Sequence, residues 1–106
     1  MTPEAMQRIL IIRHGEKGTP DGVVRCVDEF GRESEQELSV LGWQRAGALA
    51  VLFAGADGSR PGLYEPRHLY AVRPTAEAPS VRTSRTLQPL ADVLGLPVSL
   101  EFAMRA

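Results

Sequence analysis

Arg13, His14, Gly15 and Glu16 stand in a row directly after an aliphatic run at residues 9–12. A guanidinium offers planar, paired donors to phosphate oxygens. A neutral imidazole can attack phosphorus, and a glycine lets the backbone come close to a ligand. The tetrapeptide therefore has the chemistry of a phosphate site, with Arg13 as the clamp, His14 as the nucleophile and Gly15 as the point of close approach. A short string of this kind also arises by chance, so its weight depends on its surroundings. The second histidine, His68, precedes another apolar run; it is expected at the opposite sheet edge from His14 and reads as a structural or surface residue. The single cysteine, Cys26, excludes an internal disulfide, and no Cys/His cluster has metal-ligand spacing. Cys26 reads as incidental.

A site of this kind needs a strand end to hold it. The Ile-Leu-Ile-Ile run at residues 9–12 has the brevity and β-branching of a parallel strand buried on both faces, and is expected to be the first, central strand. In open α/β sheets ligands gather beyond the carboxyl ends of strands, where residues 13–16 would fall. Residues 15–37 carry turn signals and the acids Asp28, Glu29, Glu33, Glu35 and Glu37, and read as a long, solvated loop. Leu38, Leu41, Ala46, Leu49, Ala50 and Phe53 then recur at helical spacing, with Ser39 as N-cap and Gly55 as stop. Trp43 and Phe53 read as packing residues, and Gly42 and Gly47 as points of close helix packing. Residues 69–72 form a second strand that ends at Arg73-Pro74. A second helix presents Leu87, Leu90, Ala91 and Leu94 and stops at Gly95; Pro89 should kink it or delay its regular part to near Leu87. Residues 97–102 give a third strand. This order predicts an α/β fold, a parallel sheet with right-handed crossover helices.

Four strings strengthen the short motif: ILIIRHGEK at 9–17, ELSVLGWQRAGALA at 37–50, LYAVRP at 69–74 and SVRTSRTLQPLADVLGLPV at 80–98. In order and approximate spacing they resemble the N-terminal part of the histidine phosphatase (phosphoglycerate mutase-like) superfamily, over most of residues 8–100. The resemblance implies a three-layer αβα fold, here a single domain 1–106 that is incomplete at the C-terminus, lacking a strand and a helix. It implies that His14 becomes phosphohistidine, with Arg13 as one phosphate clamp and Gly15 beside it. Arg82 matches the second clamp through its Arg-x-x-x-Thr spacing to Thr86, with Arg85 as the alternative, and Ser80 adds a hydroxyl donor. Relatives use a carboxylic acid to protonate the leaving oxygen; Glu16, Glu77 and Glu101 are the candidates, and none has a decisive claim. They need no metal or cofactor. The chain departs from the family pattern in two ways. It ends before the strand that carries the second histidine, and Lys17 and Pro20 stand in the region where Thr and Asn are usual. The implied function is a phosphomonoesterase that acts through a phosphohistidine on a small phosphate ester or phosphoprotein. The alternative is a catalytically incomplete phosphate-binding relative or a truncated fragment without activity, whose open sheet edge would favour a homo-oligomer.

The bulk numbers fit one small domain. The 106 residues are 43% hydrophobic and 24% charged, and 12 basic against 13 acidic residues leave a net charge of −1. That balance lacks the footprint of a nucleic-acid binder. No apolar signal core opens the chain and no run approaches membrane length, so membrane association is not expected and the default location is cytoplasmic. The expected partner is phosphate or a small phosphorylated substrate.

Overall fold

The computed structural model of the protein describes residues 8–103. Residues 1–7, most of the stretch read for a signal core, lie outside the described residues, as do residues 104–106. The fold is a small α/β arrangement of two helices and two short sheets. In chain order the elements are β1 (Cys26–Val27), β2 (Leu38–Ser39), α1 (Val40–Phe53), β3 (Leu69–Tyr70), α2 (Arg82–Leu94) and β4 (Val98–Ser99). β1 and β2 pair antiparallel, and β3 and β4 pair parallel.

Local chemistry sets the helix ends. Ser39 is extended at the N-cap of α1, and its Oγ accepts the Gly42 N–H at 3.1 Å. α1 closes at Phe53 and Ala54, and Gly55, with φ of 75°, then turns the chain away. Ser80 Oγ accepts the Arg82 N–H at 3.2 Å and so serves the first turn of α2. Gly95, left-handed at φ 67°, ends α2 as expected. Pro89 does not delay the helix, which begins at Arg82 rather than near Leu87. A proline forfeits one backbone bond, while side chains of the turns before it are anchored to distant parts of the chain.

The core lies between the helices and β3. Ala50 and Phe53 of α1 meet Leu90 and Ala91 of α2 over Leu69, with Leu49, Leu63, Leu87, Leu94, Leu96 and Val98 packed around them. β3, α2 and β4 form the one βαβ unit among the described residues, with register Leu69↔Val98 and Tyr70↔Ser99. The pairing continues through Ala71 N–H to Ser99 O at 3.0 Å and Arg73 N–H to Phe102 O at 2.6 Å.

The structure corrects the expected sheet. Residues 9–12 are not a buried central strand: Ile9 is 85% and Ile11 88% exposed, and no strand is assigned there. An aliphatic run reports what a segment is able to bury, whereas a parallel strand also needs a neighbour to take its backbone groups. β4 supplies that neighbour to β3; among the described residues nothing supplies one to residues 9–12. The acidic segment is mostly exposed, as expected of a solvated loop, and carries some local structure. It contains β1, and Asp28 accepts the backbone N–H groups of Phe30 and Arg32. The Arg32 N–H above all, helped by the Phe30 N–H and the Arg32 side chain, holds the Asp28 carboxyl below the usual aspartate range against the opposing effect of desolvation, which is second in size. Gly47 faces open space, so of the two helix glycines only Gly42 serves close packing.

Candidate phosphate site

Residues 15–16 are wedged between the starts of the two helices, while Arg13 and His14 are exposed. The Gly15 N–H donates to Thr86 Oγ1 at 2.8 Å in a buried bond, and that hydroxyl donates to Arg82 O at 2.7 Å. Glu16 O accepts both the Ser39 N–H at 2.9 Å and the Ser39 hydroxyl at 2.8 Å. Backbone meets backbone here: a Cβ on Gly15 would sit 2.8 Å from Gly42 O and 3.0 Å from Gly42 Cα. The glycine at 15 is thus required by packing against α1.

His14 Nδ1 lies 2.7 Å from Gly15 O. A carbonyl oxygen only accepts, so Nδ1 carries the proton, and in the neutral ring the free lone pair then sits on Nε2. That is the form a nucleophilic imidazole requires. Arg13 and His14 border an open cavity of about 260 Å³, walled by Ile12, Tyr70, Val72, Leu87 and Phe102. Arg13 makes no ion pair among the described residues.

The other predicted site residues are placed elsewhere. Arg82 turns its guanidinium to the acidic segment: Nε donates to Glu37 O at 2.9 Å, Nη2 to Glu35 O, and Nη1 to Ser80 Oγ at 3.2 Å. These partners are uncharged, and no carboxylate pairs with Arg82 among the described residues. Arg85, the alternative clamp, is bound by the Glu37 carboxylate at 3.0 Å and by Gln88 Oε1 at 2.6 Å. Glu16 Oε1 pairs with Arg45 at 3.1 Å, while its Oε2 is buried without a hydrogen-bond partner among the described residues. Ser80 is occupied with Arg82. None of these four borders the cavity that Arg13 and His14 share. Glu77 and Glu101 are exposed, as is His68, whose ring stacks loosely near Tyr70 at 6.5 Å between centroids.

Three residues matter more than their sequence context indicates. Thr86 appears in sequence only as the end of a spacing, yet it holds Gly15. Glu37 belongs to an acidic run, yet it is 5% exposed and bonded to Arg85 across 48 positions. Cys26 is buried: its Sγ accepts the Gly18 N–H at 3.0 Å and lies 3.9 Å from Arg82 Nη2. No local signal identifies such distant partners.

Comparison with family models, curated proteins and solved structures returned no match. Among the described residues no group of three or more His, Cys, Asp or Glu is placed to hold a metal, and no helix is long and apolar enough to cross a membrane.

Proposed function

We propose that the protein is a phosphomonoesterase of the histidine phosphatase type, built on a phosphoglycerate mutase-like αβα fold and acting on a small phosphate ester or a phosphoprotein. The observation that carries this reading is the His14 Nδ1 bond to Gly15 O, which leaves Nε2 as the free nucleophile beside Arg13. Nε2 attacks phosphorus as the bond to the ester oxygen breaks, and the alcohol leaves with a proton from a carboxylic acid, for which Glu16 is the nearest candidate in sequence. Water then attacks the phosphohistidine, the P–N bond breaks, phosphate departs, and the carboxylate takes up the proton of the water. Arg13 balances the charge on the phosphoryl group beside Gly15; Arg82, outside the cavity with Ser80, joins it by giving up its carbonyl contacts to Glu35 and Glu37 and turning toward the phosphoryl oxygens.

The test is hydrolysis of an aryl phosphate by the protein and by His14→Ala, with quenching in alkaline detergent to trap the intermediate. Turnover lost in His14→Ala together with an acid-labile, base-stable phosphoenzyme supports the reading; equal turnover in both proteins refutes it.

One observation favours a second reading, phosphate capture without turnover. The Glu16 carboxylate is tied to Arg45 and does not border the cavity, which leaves a departing alkoxide without a proton donor there. Phosphate binding that disappears in Arg13→Ala, without hydrolysis in either protein, distinguishes this case.

A further inference from the structure

We infer that Thr86 is a positioning residue that fixes the nucleophilic tautomer of His14. The inference rests on the proposed role of His14 as nucleophile and extends it to a residue 71 positions beyond Gly15. Three hydrogen bonds run in series from α2 to the imidazole. The Thr86 hydroxyl donates to Arg82 O, its oxygen accepts the Gly15 N–H, and Gly15 O accepts from His14 Nδ1.

The direction of each bond is fixed by its ends. Arg82 O is a carbonyl and only accepts, so it claims the single hydroxyl proton of Thr86. The Gly15 N–H only donates, so it takes the hydroxyl oxygen. Thr86 thereby holds the peptide between His14 and Gly15, while Ser39 holds the Glu16 carbonyl on the other side. The Gly15 carbonyl lies between these two held peptides, and the Gly42 backbone packs so close to Gly15 that a Cβ there would lie 2.8 Å from Gly42 O. The carbonyl therefore points at Nδ1 because its neighbours are pinned.

Without the Thr86 hydroxyl the buried Gly15 N–H loses its partner, and the peptide is free to turn toward other acceptors. Nδ1 then loses its acceptor. An unconstrained neutral imidazole favours the form protonated at Nε2, and that form has no lone pair where phosphorus is attacked.

The experiment uses protein carrying 15N-labelled histidine and reads the tautomer by two-bond proton–nitrogen correlation. The chain holds two histidines, and His14→Ala assigns their signals. The wild-type protein is expected to show His14 protonated at Nδ1. Thr86→Val, close in shape but without the hydroxyl, is expected to move His14 toward the Nε2-protonated form and to lower kcat on an aryl phosphate at least about tenfold with KM little changed. Thr86→Ser is expected to restore both. A wild-type His14 protonated at Nε2 overturns the inference whether or not Thr86→Val folds. So does a folded Thr86→Val with an unchanged tautomer and unchanged kcat. A tautomer that follows the hydroxyl in a protein without turnover upholds the positioning role and removes the phosphatase reading instead.

Discussion

Gly42→Ala sets helix propensity against tertiary packing. In a helix, glycine to alanine is worth about 1 kcal/mol in favour of alanine. Gly42, in the first turn of α1, faces residues 15–16, and a Cβ there would run into Glu16 O and lie 3.0 Å from both Glu16 N and Leu38 Cβ. Two of those atoms are backbone and cannot swing aside, so α1 must move away from the segment that carries His14. That movement strains the two hydrogen bonds Glu16 O receives from Ser39, each worth about 1 kcal/mol, on top of an overpacking cost of about 1–3 kcal/mol. The net expectation is a loss of about 2 kcal/mol. Gly47 supplies the internal control: it lies on the same helix, and a Cβ added to it would meet no atom within 4 Å, so Gly47→Ala should gain about 0.5–1 kcal/mol. Urea unfolding followed by circular dichroism measures both. At unchanged slope, the Gly42→Ala midpoint should fall by roughly 1 M or more and the Gly47→Ala midpoint should rise. A Gly42→Ala protein that unfolds at or above the wild-type midpoint refutes the packing geometry.

Ser39→Ala removes an N-cap acceptor and a donor to Glu16 O in one step; thermal unfolding should report a loss of about 1–2 kcal/mol. Glu37→Ala leaves Arg85 half-buried without its carboxylate and should cost about 2 kcal/mol in urea, most of it recovered when Arg85→Met is added. Asp28 titrates below the usual aspartate range in the fold, so its contribution is present above about pH 4 and lost as pH falls from there through the folded value. The acid-unfolding curve of Asp28→Asn should therefore approach that of wild type as pH falls through the lowered folded value, while at neutral pH the variant is the less stable.

Much of the local structure is legible in the sequence because it depends on near neighbours. Ser39 caps α1 because its hydroxyl reaches an amide three positions on, and Gly95 ends α2 because it tolerates a left-handed backbone. The apolar spacing of Leu87, Leu90, Ala91 and Leu94 locates the face of α2 that meets α1 and β3. The pairing of β3 with β4 around α2 follows from the strand, helix, strand order. The aliphatic run at residues 9–12 misleads because hydrophobicity alone does not provide a partner strand. Pro89 does not delay the start of α2, because its local cost is set against anchors 45 to 71 positions away.

The amino-acid order by itself determined the local vocabulary: an arginine, a histidine and a glycine in succession, a near-neutral charge balance, and helix boundaries set by caps and stops. Only the tertiary structure decided which atoms meet. It bound Gly15 to Thr86, turned Arg82 and Arg85 toward the acidic segment, and buried Glu37 and Cys26. The division has a physical cause. Capping and periodicity act over a few residues, where spacing along the chain sets distance in space, whereas a hydrogen bond between distant segments depends on how whole elements pack.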